Sequence, residues 1–270
     1  MQGKYFTVEV KPDIDGDLLA TAALAGDDDV IFSWTPFEVP KGSSKLLNVT
    51  ARVAGADGAA QHHPFQLLFA KSKIDVTTGS MSNPPSMGEF NTVATAINSK
   101  NYILGSVSIE AIDYGGASLV GCSVASTGNS IAANGSNINM VLTPSGTEHA
   151  EYLNGSTVTT VTPGKDILWI AGIANGAMQF SSTVTSDGTV LAAGTTVHTD
   201  TKDANLVFSV GDVIQEADNT VIGTVTNMSS PTGTDVDITV DRTVGDGEAL
   251  ADGIVIYPRN PITLELSFEK

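Results

Sequence analysis

The side chains of this 270-residue chain that could do chemistry are few and scattered. The most suggestive are Asp13, Asp15 and Asp17 in Asp13-Ile14-Asp15-Gly16-Asp17, because alternate carboxylates can converge on one hard, oxygen-seeking cation such as Ca2+. A calcium loop of that kind closes on a bidentate Glu at its twelfth position, and Leu24 stands there. The segment reads as a solvated turn, with weak Ca2+ binding as the alternative and no metal site assigned. The acidic run Asp27-Asp28-Asp29 reads as a water-exposed turn. His62 and His63 are adjacent, and neighbours on an extended chain point to opposite faces, so the pair chelates poorly. His149 and His198 lie far from them and lack the short spacings of a metal or metallohydrolase site.

Nucleophile chemistry is equally bare. Cys122 is the single cysteine, so a disulfide framework and a thiolate-rich metal site are excluded. Within Gly121-Cys122-Ser123-Val124 it reads as a small buried residue. Ser, His and Asp are all present, but no Gly-x-Ser-x-Gly elbow ties one Ser to a His. A glycosidase would need two carboxylates across a sugar platform, yet Trp34 and Trp169 sit in the apolar runs Val-Ile-Phe-Ser-Trp and Ile-Leu-Trp-Ile, which read as core. No phosphate-cradling or dinucleotide fingerprint occurs. No catalytic residue and no cofactor is assigned, and the expectation is a protein that is not an enzyme.

Composition narrows the classes further. The chain carries 13 Lys+Arg against 30 Asp+Glu, a formal net charge of −17, so it lacks the clustered cations that release counterions from a nucleic acid. Charged residues are only 16% and hydrophobic residues 41%, enough apolar content to build a core rather than a disordered chain. No apolar run is long enough to suggest a membrane span. The opening Met-Gln-Gly-Lys-Tyr-Phe-Thr-Val-Glu-Val has no apolar core of secretory length and is expected to be a mature end.

The elements that must carry these residues are strands. Apolar and polar residues alternate with period two, β-branched residues are frequent, and Gly, Asn, Asp, Pro and Ser clusters punctuate the pattern. Strands are expected over 5–10, 30–34, 45–53, 65–70, 102–112, 118–125, 136–142, 156–161, 167–174, 178–185, 213–215, 221–227, 236–240, 254–257 and 262–268. Helix signals are confined to 17–26, which has an Asp N-cap and a terminal Gly, and to 89–99. The implied fold class is all-β, a jelly-roll-like β-sandwich body with a small β-barrel-like insertion.

The insertion is inferred from charge and from the last strand. Residues 175–259 hold twelve acids and three bases, a net −9, and several of the shortest strands. The final segment returns to clean alternation, with Ile262, Leu264, Leu266 and Phe268 on one face, and such a strand needs a sheet to close on. The expected division is therefore a body of 1–174 plus 260–270 and an acidic β domain over 175–259. Two consecutive domains divided near Gly164 are the alternative.

Residues 27–50 (Asp-Asp-Asp-Val-Ile-Phe-Ser-Trp-Thr-Pro-Phe-Glu-Val-Pro-Lys-Gly-Ser-Ser-Lys-Leu-Leu-Asn-Val-Thr), with Phe65-Gln-Leu-Leu-Phe-Ala-Lys71, resemble the opening of virion structural proteins of marine tailed bacteriophages, cyanophage-like in kind. Gly211-Asp-Val-Ile-Gln-Glu-Ala-Asp-Asn-Thr-Val-Ile-Gly-Thr-Val225 is similar to a hairpin of phage head and tail proteins, although Asp218-Asn219-Thr220 replaces the usual Asp-Gly turn. The ending Asn260-Pro-Ile-Thr-Leu-Glu-Leu-Ser-Phe-Glu-Lys270 is of the same kind, and together these pieces cover about a quarter of the chain. The resemblance implies a capsid decoration (cement) protein on the exterior of the virion head, a homotrimer on local threefold positions with the major capsid protein as partner. The alternatives are a tail, baseplate or fibre component, or a receptor- or glycan-binding module. Candidate contact residues are Pro36, Phe37 and Val39 in a Pro-bounded segment, and Met81 and Met87 in the loop 81–87, all of which offer apolar groups that a neighbour could bury.

Overall fold

Alternating apolar residues make strands here because each strand has one face to bury, and the sheets pair those faces. The computed structural model describes residues 4–20, 27–59, 62–71, 103–115, 122–127, 138–144, 161–190, 194–231, 233, 235–241 and 249–270. Its elements in chain order begin with β1 (Tyr5–Val10), helix α1 (Gly16–Ala20), β2 (Asp27–Pro40), β3 (Ser44–Val53), β4 (Phe65–Ala70) and β5 (Ile103–Ile109). They continue with β6 (Ser123–Thr127), β7 (Met140–Leu142), β8 (Lys165–Asn175), β9 (Thr196–Thr199), helix α2 (Ala204–Val207) and β10 (Val213–Gln215). The last are β11 (Val221–Met228), β12 (Val236–Val240), β13 (Tyr257–Pro258) and β14 (Ile262–Glu269). Among the described residues no helix is long and apolar enough to cross a membrane.

Two antiparallel sheets form the body. One has the order β1-β14-β3-β6, with β7 sharing the β6 edge of β3; the other has the order β2-β8-β4-β5. With β6 and β7 counted as two pieces of one strand, the body has eight strands in the orders first-eighth-third-sixth and second-seventh-fourth-fifth. That alternation of successive strands between two sheets is the jelly-roll topology. The final strand β14 is central in its sheet, with Leu266 opposite Val8 on one side and Val49 on the other.

The strand pattern packs into one core between the sheets. Ile262, Leu264, Leu266 and Phe268 are fully buried against Leu46, Val49, Ala51 and Val53 of β3 and against Phe65, Leu67 and Phe69 of β4. Each such side chain contributes about 1.5–3 kcal/mol of burial. An aromatic column links the layers: Phe268 stacks on Phe6 at 5.1 Å and on Phe37 at 6.3 Å, and Phe37 meets Phe69 edge-on at 6.4 Å. The β8 run Ile167-Leu-Trp-Ile-Ala-Gly-Ile-Ala174 is buried on both faces. Leu168 and Ile170 enter the main core, while Ile167, Trp169 and Ala171 form a second cluster with Trp34 and Ala70 on the far side of the sheet.

Several expected elements differ. The segment around Pro36 and Pro40 is not a loop but the second half of β2, which pairs with β8 from Asp27↔Asn175 to Pro40↔Lys165. Proline is tolerated because β2 is the edge strand of its sheet, where a missing N–H breaks no ladder. The stretch 178–185 forms no ladder beyond a single bridge at Thr185, because Met178 and Phe180 leave the strand direction to fill the body core. Strand β9 and helix α2 are four residues each, too short to show a period in the sequence. The expected strand over 156–161 and helix over 89–99 lie outside the described residues, except for Val161.

Strands β9–β13 make a third sheet, in the order β13-β10-β11-β12-β9, inserted between β8 and β14. Its own core holds Val184, Val197, Phe208, Ile214, Ile222, Val225, Val236, Ile238 and Ile256. Among the described residues its ends are joined only by isolated bridges, Ser186↔Thr199 and Thr185↔Val255, so the sheet curls like a barrel without closing into one.

Candidate functional site

The acidic turn after β1 is built into the junction between body and insertion. The Asp13 carboxylate accepts a hydrogen bond from the Arg259 guanidinium at 2.7 Å and from the Asn260 amide at 2.9 Å. Burial raises the Asp13 pKa, but the bonds from Arg259 and Asn260 and the Arg259 charge outweigh it and hold the group below its ordinary value. A carboxylate already faced by a guanidinium is a poor seat for a hard cation, so Asp13 acts as a junction residue. Asp15 receives the Asn219 amide at 3.5 Å, and Asp17 lies on α1.

More of this junction is backbone chemistry. Asn260 Nδ2 also donates to the carbonyls of Lys11 and Pro12, Ile14 N–H donates to Arg259 O at 3.0 Å, and Gln215 Nε2 donates to Ile14 O at 3.1 Å. Gly16 N–H donates to Asn219 Oδ1 at 2.7 Å, and Asn219 has φ 71°, the left-handed conformation that asparagine tolerates in the Asp218-Asn219-Thr220 turn. Gly16 itself lies against the Ala217 carbonyl, where a Cβ would not fit.

A second junction lies on the other connection. Asp57 Oδ1 accepts from Thr183 N–H at 2.6 Å and Thr183 Oγ1 at 3.0 Å, and Asp57 N–H donates to Ser181 O. Beside it Gly58, at φ +68°, packs directly on the Leu206 carbonyl of α2. Sequence reasoning missed Asp57, Asn219 and Asn260; the only local signals were the Asp-Gly and Asp-Asn turns that carry two of them.

The proposed contact residues divide. Pro36 is exposed, but Phe37 and Val39 are buried in the sandwich core, so they offer no surface to a partner. The reason is strand parity: with β2 extended to Pro40, Phe37 and Val39 point inward and Pro36 outward. Met81 and Met87 lie outside the described residues. Among the described residues the exposed large apolar side chains are instead Tyr5, Ile112, Val141, Leu206 and Val210, spread over both the body and the insertion.

The histidines take unlike places. His62 is exposed and stacks on Tyr114 at 5.1 Å, whereas His63 is buried with Phe180 edge-on at 6.0 Å. His198 pairs with Asp237 through Nδ1 at 2.6 Å on the exposed side of the third sheet, and Ser229 Oγ accepts from the Asp237 N–H at 2.8 Å. Ser229 follows β11 and meets the backbone amide of Asp237, whereas His198 meets the Asp237 carboxylate. A hydrolytic relay needs the His ring against the Ser hydroxyl, and here the Ser229 hydroxyl accepts from a backbone amide instead. Among the described residues no group of three His, Cys, Asp or Glu side chains is placed to hold a metal.

Five lysines lie at one end of the body, two of them faced by Glu38 and Glu269. Lys4, Lys41, Lys45, Lys165 and Lys270 gather at the end where β2 turns into β3: Lys45 pairs Glu269, Lys165 pairs Pro40, Lys270 N–H donates to Lys4 O, and Lys270 Nζ contacts the Pro40 and Lys41 carbonyls. The acidic insertion leaves from the opposite end, after Asn175 and before Ile262. No protein-family model and no curated protein matches this chain.

Proposed function

We propose that this chain is a non-enzymatic structural protein of a tailed-phage particle, a capsid decoration protein that binds the outside of the head and stabilises it. The observation that carries the reading is the jelly-roll body with a separate acidic sheet fastened to it through both connections. A reinforcing protein needs a stiff two-layer body and a soluble outward surface, and a net charge of −17 keeps free copies apart. In this reading the lysine-bearing end of the body faces the major capsid protein and the insertion points to solvent. The expected assembly is a homotrimer on local threefold positions.

The test is particle stability. Heads of the encoding virus that lack this chain should rupture at a lower temperature than complete heads, and purified chain added back should restore the difference. Equal rupture temperatures would refute the stabilising role, and loss of host attachment with intact heads would favour a fibre or receptor-binding component.

A further inference from the structure

Strand β1 ends its sheet with an edge that carries none of the usual guards. Its neighbour on one side is β14, and among the described residues no strand pairs with its other side. The edge strand β2 of the facing sheet holds Pro36 and Pro40 and several register shifts, whereas β1 runs Tyr-Phe-Thr-Val-Glu-Val without a proline, a bulge or a lysine inside it. Lys270 N–H donates to Lys4 O, and the alternation of an antiparallel ladder then turns the backbone groups of Phe6, Val8 and Val10 toward β14 and those of Tyr5, Thr7 and Glu9 away from it. Tyr5, Thr7 and Glu9 are themselves exposed.

The β1 sequence is complementary to itself. An antiparallel copy on a twofold axis through Thr7 sets Thr7 against its counterpart and Tyr5 against Glu9 of the second copy, so every outward N–H and C=O of these residues finds a partner. Moving the axis to Phe6 or Val8 leaves Glu9 or Tyr5 without a partner inside the strand. On the inner face the Thr7 register puts Phe6 against Val8 of the second copy. Both side chains are only partly buried at the rim of the core, and this contact covers part of what the body leaves open. On the outer face Tyr5 meets Glu9, with no like charges opposed.

We propose that β1 is a self-pairing edge, through which two copies of this chain join antiparallel on a twofold axis at Thr7 into one continuous sheet. The contact is a single strand edge, smaller than a standard stable interface, and the net charge of −17 on each copy opposes it. The pair is therefore reversible and tightens as salt screens the repulsion. Lys4 and Lys11 flank the strand and Glu9 is its one acid, so the repulsion arises from the rest of the molecule and not from the edge. The pairing does not rest on the proposed place of the chain on a particle, and it leaves the rest of the body free for a threefold contact.

Sedimentation velocity of the whole protein tests it. The mass should double with concentration, and association should tighten about tenfold or more between roughly 0.05 M and 0.5 M NaCl. In hydrogen exchange the Tyr5, Thr7 and Glu9 amides should gain protection as the pair forms. Thr7→Pro removes an N–H that points away from β14, and Thr7→Lys sets two like charges face to face on the axis, so each should abolish the pairing. Thr7→Lys, at an exposed position, should leave the melting of the single chain unchanged and decides the matter should Thr7→Pro disturb the strand. A mass that stays that of one chain at every concentration and salt overturns the proposal. So does an association that survives both variants or leaves the Tyr5, Thr7 and Glu9 amides unprotected; a trimer of that kind would overturn the β1 pairing while still agreeing with the decoration role.

Discussion

Asp13 and Arg259 meet at 2.7 Å although 246 positions separate them in the chain, and the bond fastens the exit of the acidic insertion to the turn that follows the first strand. Asn260, the next residue, grips the same turn through the carbonyls of Lys11 and Pro12. The pair is partly exposed, so its own contribution to stability is small, about 0.2–1 kcal/mol. Asn260→Ala removes three hydrogen bonds at once and should cost about 1–2 kcal/mol in urea unfolding, more than Asp13→Asn.

The central place of β14 gives the sharpest folding prediction. Removal of residues 262–270 separates β1 from β3 and exposes a row of unpaired backbone groups on each, so the truncated chain should aggregate. Phe268→Ala should fold but lose about 3–5 kcal/mol, because it empties the aromatic column between Phe6 and Phe37. Soluble, monomeric truncated protein in size-exclusion chromatography would contradict this view of the sheet.

Gly58→Ala tests the second junction. The residue is in the left-handed region and a Cβ would meet the Leu206 carbonyl, so the substitution should destabilise by about 1–3 kcal/mol. Gly188→Ala, also at positive φ but with open space around it, should cost less.

Excision of the insertion tests the division of the chain. Replacement of residues 182–256 by a short Gly/Ser linker should leave a cooperatively melting body, because Met178, Phe180 and Tyr257 remain to fill its core. Replacement of all of 175–259 should give a less stable body for want of those three side chains. Failure of both to fold would mean that the two sheet systems are one cooperative unit.

Stability should vary with pH in a definite sense. His63 is held neutral below the ordinary value of 6.5, so its contribution is complete above pH 6.5 and is lost as the pH falls through its lower folded value. Tyr114 is buried and its pKa is pushed above the ordinary 10.0, so its contribution is complete below pH 10 and is lost as the pH rises further. The unfolding free energy should therefore be level between about pH 7 and pH 10 and fall on both sides. A maximum near pH 5 would contradict the neutral, buried placement of His63.

Much of the fold was legible in the sequence. Strand bounds over 5–10, 65–70, 213–215 and 236–240 follow directly from alternation, and the inward face of Ile262, Leu264, Leu266 and Phe268 follows from period two. The strand from Asp27 to Pro40 was harder, because bulges at Val30, Phe32 and Thr35 shift the inward face and two prolines imitate a loop. The junctions were not legible, since they join residues about 120 to 250 positions apart through single amides and carbonyls with no local pattern. The core placement of Phe37 and Val39 depended on the same misjudged strand.

The most direct test of the account is the abundance of this chain in purified particles of the virus that encodes it, measured by quantitative mass spectrometry against the major shell protein. Trimers on local threefold positions predict roughly one copy per shell subunit. A handful of copies would place the chain in the tail or fibres, and its absence from the particle would contradict the proposed function outright.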